Sequence, residues 1–391
     1  MRYVDTLTLT LDYRMVDATE VDLVWRLTPA GPDSHAGNDV ATTRVALRRS
    51  MARLQALIDA ASDGDAVLLP PGTYTGTLHG RARTLDVRGA EGAERTVLVS
   101  VDRDAPILTV TGARSTWSNI DWRTTGAPLA FPYGSDTTIS HSTIEPVPGM
   151  AHDVEELLPR WGNSRLYANR IADFGTGEAA RCSALVTAGQ GGYTGGSTYL
   201  QHNLFLDNDC DALVRFGEDD VPVRSHLTAN NNTFVGSPTI VRVSALGTEA
   251  DVLRFRNNVV VRADAVVELP ESRFRTTARA WSEPAFVSSR NVVWNSAVQS
   301  AVQADWLSRP GIAVEGTDLL VEPKFVDPAN GDYRLRPDSA LIDAGVEPDE
   351  YVWDNYGRSP DSAPDGLVPP PIDGDGDGEA EHDIGAFEHA P

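Results

Sequence analysis

Two short stretches of the sequence, CSALV at residues 182–186 and CDALVRFG at residues 210–217, share an apolar phrase and a leading cysteine. They are separated by 210 − 182 = 28 residues. A fixed period of this length is typical of repeat proteins, in which each unit buries its apolar face only by stacking on its neighbours. The pair therefore predicts further copies along the chain.

Further copies follow with a small drift in spacing. Aligned on Arg215, the next unit places Arg242 at 27 residues, and Glu268 follows 26 residues later. A second phrase, an asparagine followed two positions later by a large apolar residue, keeps a similar period. Its members are Asn169, Asn203, Asn232, Asn258 and Asn291, with Ser142 as a weaker upstream member.

The composition of the units indicates strands. Runs of three to five Val, Ile, Leu and Phe residues alternate with Gly, Asn, Asp and Ser clusters, and no unit has the three-to-four-residue apolar period of a helix. Such units suit a parallel β-helix, whose coils rise by roughly 4.8 Å and stack equivalent side chains. Asparagine suits the corners, because it tolerates the left-handed backbone and its amide can bond to its copies.

At this point the chain resembles the right-handed parallel β-helix proteins of the pectin lyase-like superfamily. Leu54–Gly76 (LQALIDAASDGDAVLLPPGTYTG) resembles their N-terminal cap, and Phe325–Gly345 with Asp383–Glu388 (DIGAFE) resembles the closing, choice-of-anchor segment of secreted members. The resemblance implies an all-β, single-stranded right-handed solenoid with an N-terminal capping α-helix. We expect N-terminal strands in residues 1–42, the β-helix in 43–322 with its helix at 43–61, and the closing segment in 323–391.

Charge limits the partners. The 391 residues include 33 basic and 56 acidic side chains, a formal charge of −23, which argues against nucleic acid and anionic membranes. No apolar run approaches the roughly 20 residues of a membrane span, and the N-terminus lacks a signal-peptide core. Because the resemblance implies an extracellular or cell-surface protein, we interpret the chain as a mature or trimmed form.

The two cysteines fall at equivalent positions of neighbouring coils. Cys182 and Cys210 should therefore lie about 4.8 Å apart, within the range that a disulfide accepts. A pair of small buried thiols is the interpretation we prefer, since cysteine is among the most buried residue types. A disulfide is the alternative.

An acidic run near the C-terminus has calcium-loop spacing. In DGDGDGEAEHD, Asp373, Asp375 and Asp377 alternate and Gly378 follows, as in the first half of an EF-hand loop. Position 12 of such a loop is Ile384, so Glu381 or Asp383 would have to replace the usual glutamate. The pattern predicts a structural Ca²⁺ ion, with a solvated acidic turn as the alternative.

Strand alternation places Thr187, Arg215, Arg242 and Glu268 in one outward column, with Asp211 at its edge. Arginine binds a uronate carboxylate and acidifies the α-proton that a lyase removes, and the resemblance to pectate lyases allows an arginine as base. Arg215, Arg242, Asp211 and Glu268 are thus the catalytic candidates. A surface ladder of ion pairs among the same four residues is the alternative.

Other candidates are weaker. NDCDAL, with Asp209 and Asp211, faintly resembles a phrase of the polygalacturonases, but their other signatures are absent, and His202 and His226 read as surface residues. Two long loops offer Trp161 and Tyr193 for stacking on sugar rings, unless they only cover the solenoid. The sequence thus predicts a protein that acts on or binds a uronate-containing polysaccharide or surface glycan, or else a non-catalytic surface or adhesion module.

Overall fold

The computed structural model describes most of the chain with several gaps. The described ranges are 20–26, 40–46, 49–80, 83–91, 95–100, 102, 105–111, 114–126, 129, 135–157, 162–177, 180–188, 197–216, 226–243, 252–269, 286–301, 312–316, 318–346 and 381–389. The chain divides into two compact units, Met1–Arg49 and Ser50–Pro391.

The first unit contains one antiparallel strand pair. β1 (Glu20–Arg26) pairs with β2 (Val40–Ala46), so that Glu20 lies opposite Ala46. Both strands bear on the expectation of N-terminal strands in residues 1–42. The alternating stretch TLTLTLDY at residues 6–13, a further candidate strand, lies outside the described residues.

The capping helix is shorter than the sequence predicts. β3 (Arg49–Ser50) lies at the division between the units, and α1 (Ala52–Ala60) follows it. The prediction of a helix at 43–61 is therefore wrong at its start. The residues before Leu47 belong to β2, where β-branched Thr42, Thr43 and Val45 favour a strand. Of the apolar residues in and next to α1, Met51, Leu54 and Ile58 are buried, while Leu57 is 39% exposed.

The second unit is a stack of parallel strands on three faces, as predicted for a β-helix. Sheet 1 contains β4 (Ala66–Leu68), β7 (Leu85–Arg88), β10 (Arg114–Ser118), β12 (Ser135–Ser140), β15 (Gly162–Tyr167), β19 (Ser197–Gln201), β22 (His226–Asn230), β25 (Val252–Arg256), β28 (Phe286–Ser289) and β30 (Ile312–Val314). Sheet 2 contains β5 (Gly72–Thr75), β8 (Thr96–Ser100), β11 (Ile120–Thr124), β13 (Thr143–Pro146), β16 (Arg170–Ala172), β20 (Leu204–Leu206), β23 (Thr233–Val235), β26 (Val259–Val261) and β29 (Val292–Trp294).

The third face is built from shorter sheets. Sheet 3 contains β18 (Ala184–Ala188), β21 (Ala212–Phe216), β24 (Thr239–Val243) and β27 (Ala265–Glu268). Two further parallel pairs are β6 (Leu78–Gly80) with β9 (Leu108–Val110) and β14 (Asp153–Val154) with β17 (Arg181–Cys182). The chain passes from sheet 1 to sheet 2 to the third face and back in each coil. This order accounts for the period of about 28 residues.

The predicted asparagine ladder is confirmed. Its side-chain amides donate to the next Oδ1 at 3.1 Å from Asn169 to Asn203, and at 3.0 Å from Asn203 to Asn232, from Asn232 to Asn258 and from Asn258 to Asn291. The ladder asparagines themselves do not take the left-handed backbone. The residue before each one does, namely Ala168, His202, Asn231, Asn257 and Arg290, so that the amide points inward towards its copies.

Cys182 and Cys210 form a disulfide, with their Cα atoms 4.5 Å apart. Our preference for two free thiols was therefore wrong. Both side chains are buried as expected, but the parallel stacking of their coils also brings them within bonding distance. The bond joins successive coils at the end of β17 and just before β21.

Aromatic rings stack in the core in the same way as the asparagines. Phe205 and Phe234 lie opposite each other in β20 and β23, with ring centroids 4.9 Å apart, and Phe234 also stacks on Phe255 at 6.1 Å. Each ring is fully buried. Such contacts between coils stabilise the solenoid along its axis.

The C-terminal residues cover part of sheet 2. β31 (Phe325–Asp327) and β32 (Asp332–Leu335) form an antiparallel hairpin around a 3₁₀ turn, Pro328–Asn330. The non-core face of sheet 2 is charged in the early coils and apolar in the later ones. The charged residues are Asp121, Arg123, Glu145 and Arg170; the apolar ones are Leu204, Leu206, Val235, Val259, Val261 and Val292.

This apolar area packs against the tail. Its buried contacts include Tyr333, Leu335, Leu341, Ile342 and Ile384. Residues 325–346 and 381–389 thus close the later coils, while the anchor character of this segment stays a prediction. Within the described part of the chain, no helix is long and apolar enough to cross a membrane.

Candidate functional site

The register of sheet 3 places the four predicted column residues in line. Thr187 pairs with Arg215, Arg215 with Arg242, and Arg242 with Glu268. The column forms because each coil repeats the same strand in the same register. Thr187 is buried, whereas the side chains of Arg215 and Arg242 are 33% and 38% exposed.

Glu268 holds Arg242 firmly. Arg242 Nε donates to Glu268 Oε2 at 2.7 Å, and Thr239 Oγ1 donates to Glu268 Oε1 at 3.2 Å. Both oxygens of the carboxylate are therefore engaged within sheet 3. The orientation of the Arg242 guanidinium is fixed as a consequence.

Arg215 is held more loosely. Its Nη2 lies 3.7 Å from Asp211 Oδ2, which is an ion pair beyond hydrogen-bond distance. Asp211 is mostly exposed, so water screens this pair. The ion pairs expected of a surface ladder are thus present, in one tight and one loose form.

Two like charges in register destabilise a sheet unless anions offset them. Asp211 and Glu268 offset the charges of Arg215 and Arg242 in part. A guanidinium has five N–H donors, more than one carboxylate engages, so the outer edge of each arginine can donate to a ligand. A carboxylate or another planar anion fits such a pair of donors best.

Several predicted site residues lie outside the described residues. They are Trp161, Tyr193, Asp373, Asp375 and Asp377. Glu381 is described and exposed, and the exposed Asp209 and Asp211 flank Cys210. Among the residues that the structure describes, no group of three or more His, Cys, Asp or Glu side chains is arranged to hold a metal ion.

Asp383, the other candidate calcium ligand, is buried in the tail. Its carboxylate accepts hydrogen bonds from the backbone N–H of Asp343 at 2.9 Å and of His389 at 2.5 Å. Burial raises the pKa of Asp383 to about 7, with the charges of Glu388 and Asp343 adding to the effect. Its two oxygens are thus already engaged in closing the tail.

His202 differs from the sequence-based expectation of a surface residue. It is buried beside Tyr167, with ring centroids 5.7 Å apart, and Tyr167 meets His141 edge to face at 5.4 Å. Burial lowers the pKa of His202 to about 4. The sequence does place His202 just before a ladder asparagine, but it does not show the hydrogen bond of His202 to the backbone of Ala386 in the tail.

Comparisons with known proteins assign no family. No family model and no curated protein matches the chain. Among solved structures, the complex of the alginate lyase AlyF-OU02 with G6 is similar to it, at 12% identity and a TM-score of 0.35. The match covers 76% of this chain and 66% of that chain, so this chain spans just under two thirds of that structure's length. A likeness at this level assigns no activity.

Proposed function

We propose that this chain is an extracellular β-helix protein that recognises uronate-containing polysaccharide through the outward face of sheet 3. The observation that supports this most is the register of Arg215 on Arg242. A polymer lying along the solenoid axis meets one guanidinium in each of two successive coils. Each guanidinium can bind one carboxylate of the polymer.

One observation supports the extracellular part of the proposal. A disulfide such as Cys182–Cys210 forms and persists in oxidising compartments. The formal charge of −23 disfavours nucleic acid, the most common anionic polymer inside cells. Within this acidic protein, the negative charges of the ligand must then bind directly to the two arginines.

β-Elimination is the reaction that such a face can support. An arginine that neutralises the uronate carboxylate acidifies the neighbouring C5–H. A base takes that proton, the C4–O bond breaks, and a C4=C5 double bond remains on the new non-reducing end. The leaving oxygen takes a proton from water and becomes the hydroxyl of the new reducing end. Arg215, the more loosely held of the pair, is the candidate base, and Arg242, fixed by Glu268, is the candidate carboxylate ligand.

A non-catalytic binding module is the second candidate. The ion pair of Arg215 with Asp211 favours it, because Asp211 stabilises the guanidinium as a cation, and a cation cannot accept the proton. Both candidates bind the same ligand class through the same residues. They differ only in whether the bound polysaccharide is cleaved.

The experiment combines binding with turnover on a panel of uronate polysaccharides, using calorimetry and the absorbance of the unsaturated product. The variant is Arg215→Ala. The control is Arg88→Ala, which removes a strand arginine of sheet 1 that pairs with Asp86. Product formed by the parent and control but not by Arg215→Ala supports the lyase. Binding without product supports the module, and no binding to any member contradicts the proposal.

We also propose a structural Ca²⁺ ion at the acidic run, held by Asp373, Asp375, Asp377 and Glu381. Glu381 suits the closing position better than Asp383, whose carboxylate already accepts two backbone hydrogen bonds. Calcium should raise the unfolding temperature of the chain, and Asp375→Asn should abolish that shift. An equal shift with Mg²⁺, or none with Ca²⁺, would contradict the site.

A further inference from the structure

The apolar column of sheet 2 ends in an exposed ring. Leu206, Val235, Val261 and Trp294 follow one another in register through β20, β23, β26 and β29. The hairpin β31–β32 buries the first two, but Trp294 is 38% exposed. A large aromatic side chain that the tail leaves uncovered is a common part of a ligand site.

Trp294 lines a groove between sheet 2 and the hairpin. The groove has a volume of about 500 Å³, with Val235 and Val261 from the sheet on one side and Phe325 and Tyr333 from the hairpin on the other. Pockets of roughly 300 to 1,000 Å³ hold small organic ligands. The space suits one or two sugar rings.

Three cations also line this groove: Arg262, Lys324 and Arg336. Their side chains are 51%, 41% and 54% exposed. Glu322 and Asp338 line the groove as well, so three cations stand against two acids there, whereas the chain as a whole has 33 basic against 56 acidic residues. The lining therefore repels an anion less than the rest of this acidic chain does.

The pairing of these cations leaves donors for a ligand. Arg262 Nη2 bonds to Asp207 at 2.9 Å, while Lys324 and Arg336 share Asp338, each at 3.2 Å. Because Lys324 and Arg336 share the one carboxylate of Asp338, each keeps N–H donors that a ligand can engage. The ammonium of Lys324 is held in place there, because its Nζ also donates to the backbone oxygen of Asp338 at 2.9 Å.

We propose that this groove is a saccharide site separate from sheet 3, which takes a short uronate-bearing oligosaccharide. A sugar ring stacks on Trp294, and its carboxylate binds Lys324 and Arg336. A neutral sugar would leave the cations without a new partner, and a simple anion would leave the ring of Trp294 uncovered. The aromatic ring and the cations together select a carboxylated sugar over a neutral sugar and over a simple anion.

The test uses the fact that Lys324 is the only lysine in the chain. Reductive ¹³C-methylation keeps its charge and gives one side-chain NMR signal besides that of the N-terminus. The methylated protein, carrying Arg215→Ala and Arg242→Ala so that sheet 3 does not compete, is titrated with trigalacturonate. Cellotriose and sodium acetate are the two comparison ligands.

We expect the Lys324 signal to shift and saturate with trigalacturonate, with much smaller shifts for cellotriose and acetate. Trp294→Ala should weaken the affinity at least tenfold, and Arg336→Gln should weaken it severalfold with the unfolding temperature unchanged. No shift at millimolar ligand, an equal shift with acetate or cellotriose, or unchanged affinity in both variants would overturn the proposal. Because the signal is local and sheet 3 is disabled, either result is independent of the sheet 3 proposal.

Discussion

Arg215 lies opposite Arg242 in the parallel register of β21 and β24, yet the two side chains are held by different carboxylates at different distances. Glu268 fixes Arg242 at 2.7 Å, while Asp211 lies 3.7 Å from Arg215. The column is thus both an ion-pair ladder and a row of hydrogen-bond donors that can bind an anionic ligand. Removing one carboxylate distinguishes these two roles, because it changes the affinity for a ligand only if the arginines bind that ligand.

Glu268→Gln is the first prediction. The amide keeps the shape of the side chain but removes the negative charge that competes with a ligand for Arg242. If the face binds uronates, affinity should rise about three- to tenfold, or roughly 1 kcal/mol. Isothermal titration with the best polysaccharide of the panel measures this. Unchanged or weaker binding would indicate that Arg242 serves only its ion pair.

Asn232→Ala should strongly destabilise the solenoid. Asn232 is fully buried, donates to Leu200 O and Asn258 Oδ1, and accepts from Asn203. Its loss leaves several buried polar groups without a hydrogen-bond partner. We therefore expect the free energy of unfolding to fall by about 3 to 5 kcal/mol. Asn330→Ala, at an exposed turn of the tail, is the matched control and should change it by less than about 0.5 kcal/mol. Equal effects in urea unfolding would refute the ladder's role.

Removing the disulfide should also destabilise the fold. Cys182 and Cys210 are 28 residues apart, and a loop of that length predicts a loss of about 3 to 4 kcal/mol in the doubly substituted Cys→Ser variant. Dithiothreitol should lower the unfolding temperature of the parent chain and leave the variant unchanged. Two free thiols by mass spectrometry of the alkylated parent would show that the bond does not form.

Asp383 should make stability depend on pH. Its pKa rises to about 7 on folding from about 4 in the unfolded chain, so the folded state binds the extra proton between these values. The stabilisation is full below about pH 4 and is lost as pH rises through 7. Buried His202, whose pKa falls to about 4, acts in the opposite direction, and Asp343, Glu388 and His382 also lie near the carboxylate.

Asp383→Asn isolates this contribution, because the amide does not ionise and keeps an acceptor oxygen. Between pH 4.5 and pH 8, the stability of the parent relative to the variant should fall by about 3 kcal/mol. Urea unfolding at the two pH values gives this double difference, from which the contribution of His202 cancels. A constant difference would show that Asp383 is ionised throughout.

Much of the fold follows from the sequence because stacking repeats like residues at like positions. The alignment of Arg215 with Arg242 and Glu268 comes from the period alone, and the strand register reproduces it. The asparagine ladder is predictable for the same reason. The left-handed residue before each ladder asparagine is not predictable from the sequence, since residues as different as Ala168 and Arg290 occupy that position. Backbone geometry, rather than side-chain preference, sets that position.

Features that depend on contacts across the chain are missed. The sequence does not show that the tail covers His202, because Ala386 lies far along the chain from it. The Trp294 groove needs both β29 and the hairpin β31–β32, which the period does not relate. For Cys182 and Cys210 the sequence leaves both a disulfide and two free thiols open, and the burial typical of cysteine favours the wrong one.

The central claim is that Arg215 and Arg242 bind the carboxylates of one polymer. The most direct measurement is the affinity of a uronate oligosaccharide for the parent chain, for each Arg→Ala variant, for the double variant and for Arg88→Ala. We expect each single loss to weaken binding at least tenfold, the double loss to abolish it, and Arg88→Ala to match the parent. Equal affinities for the parent and the double variant would contradict the account.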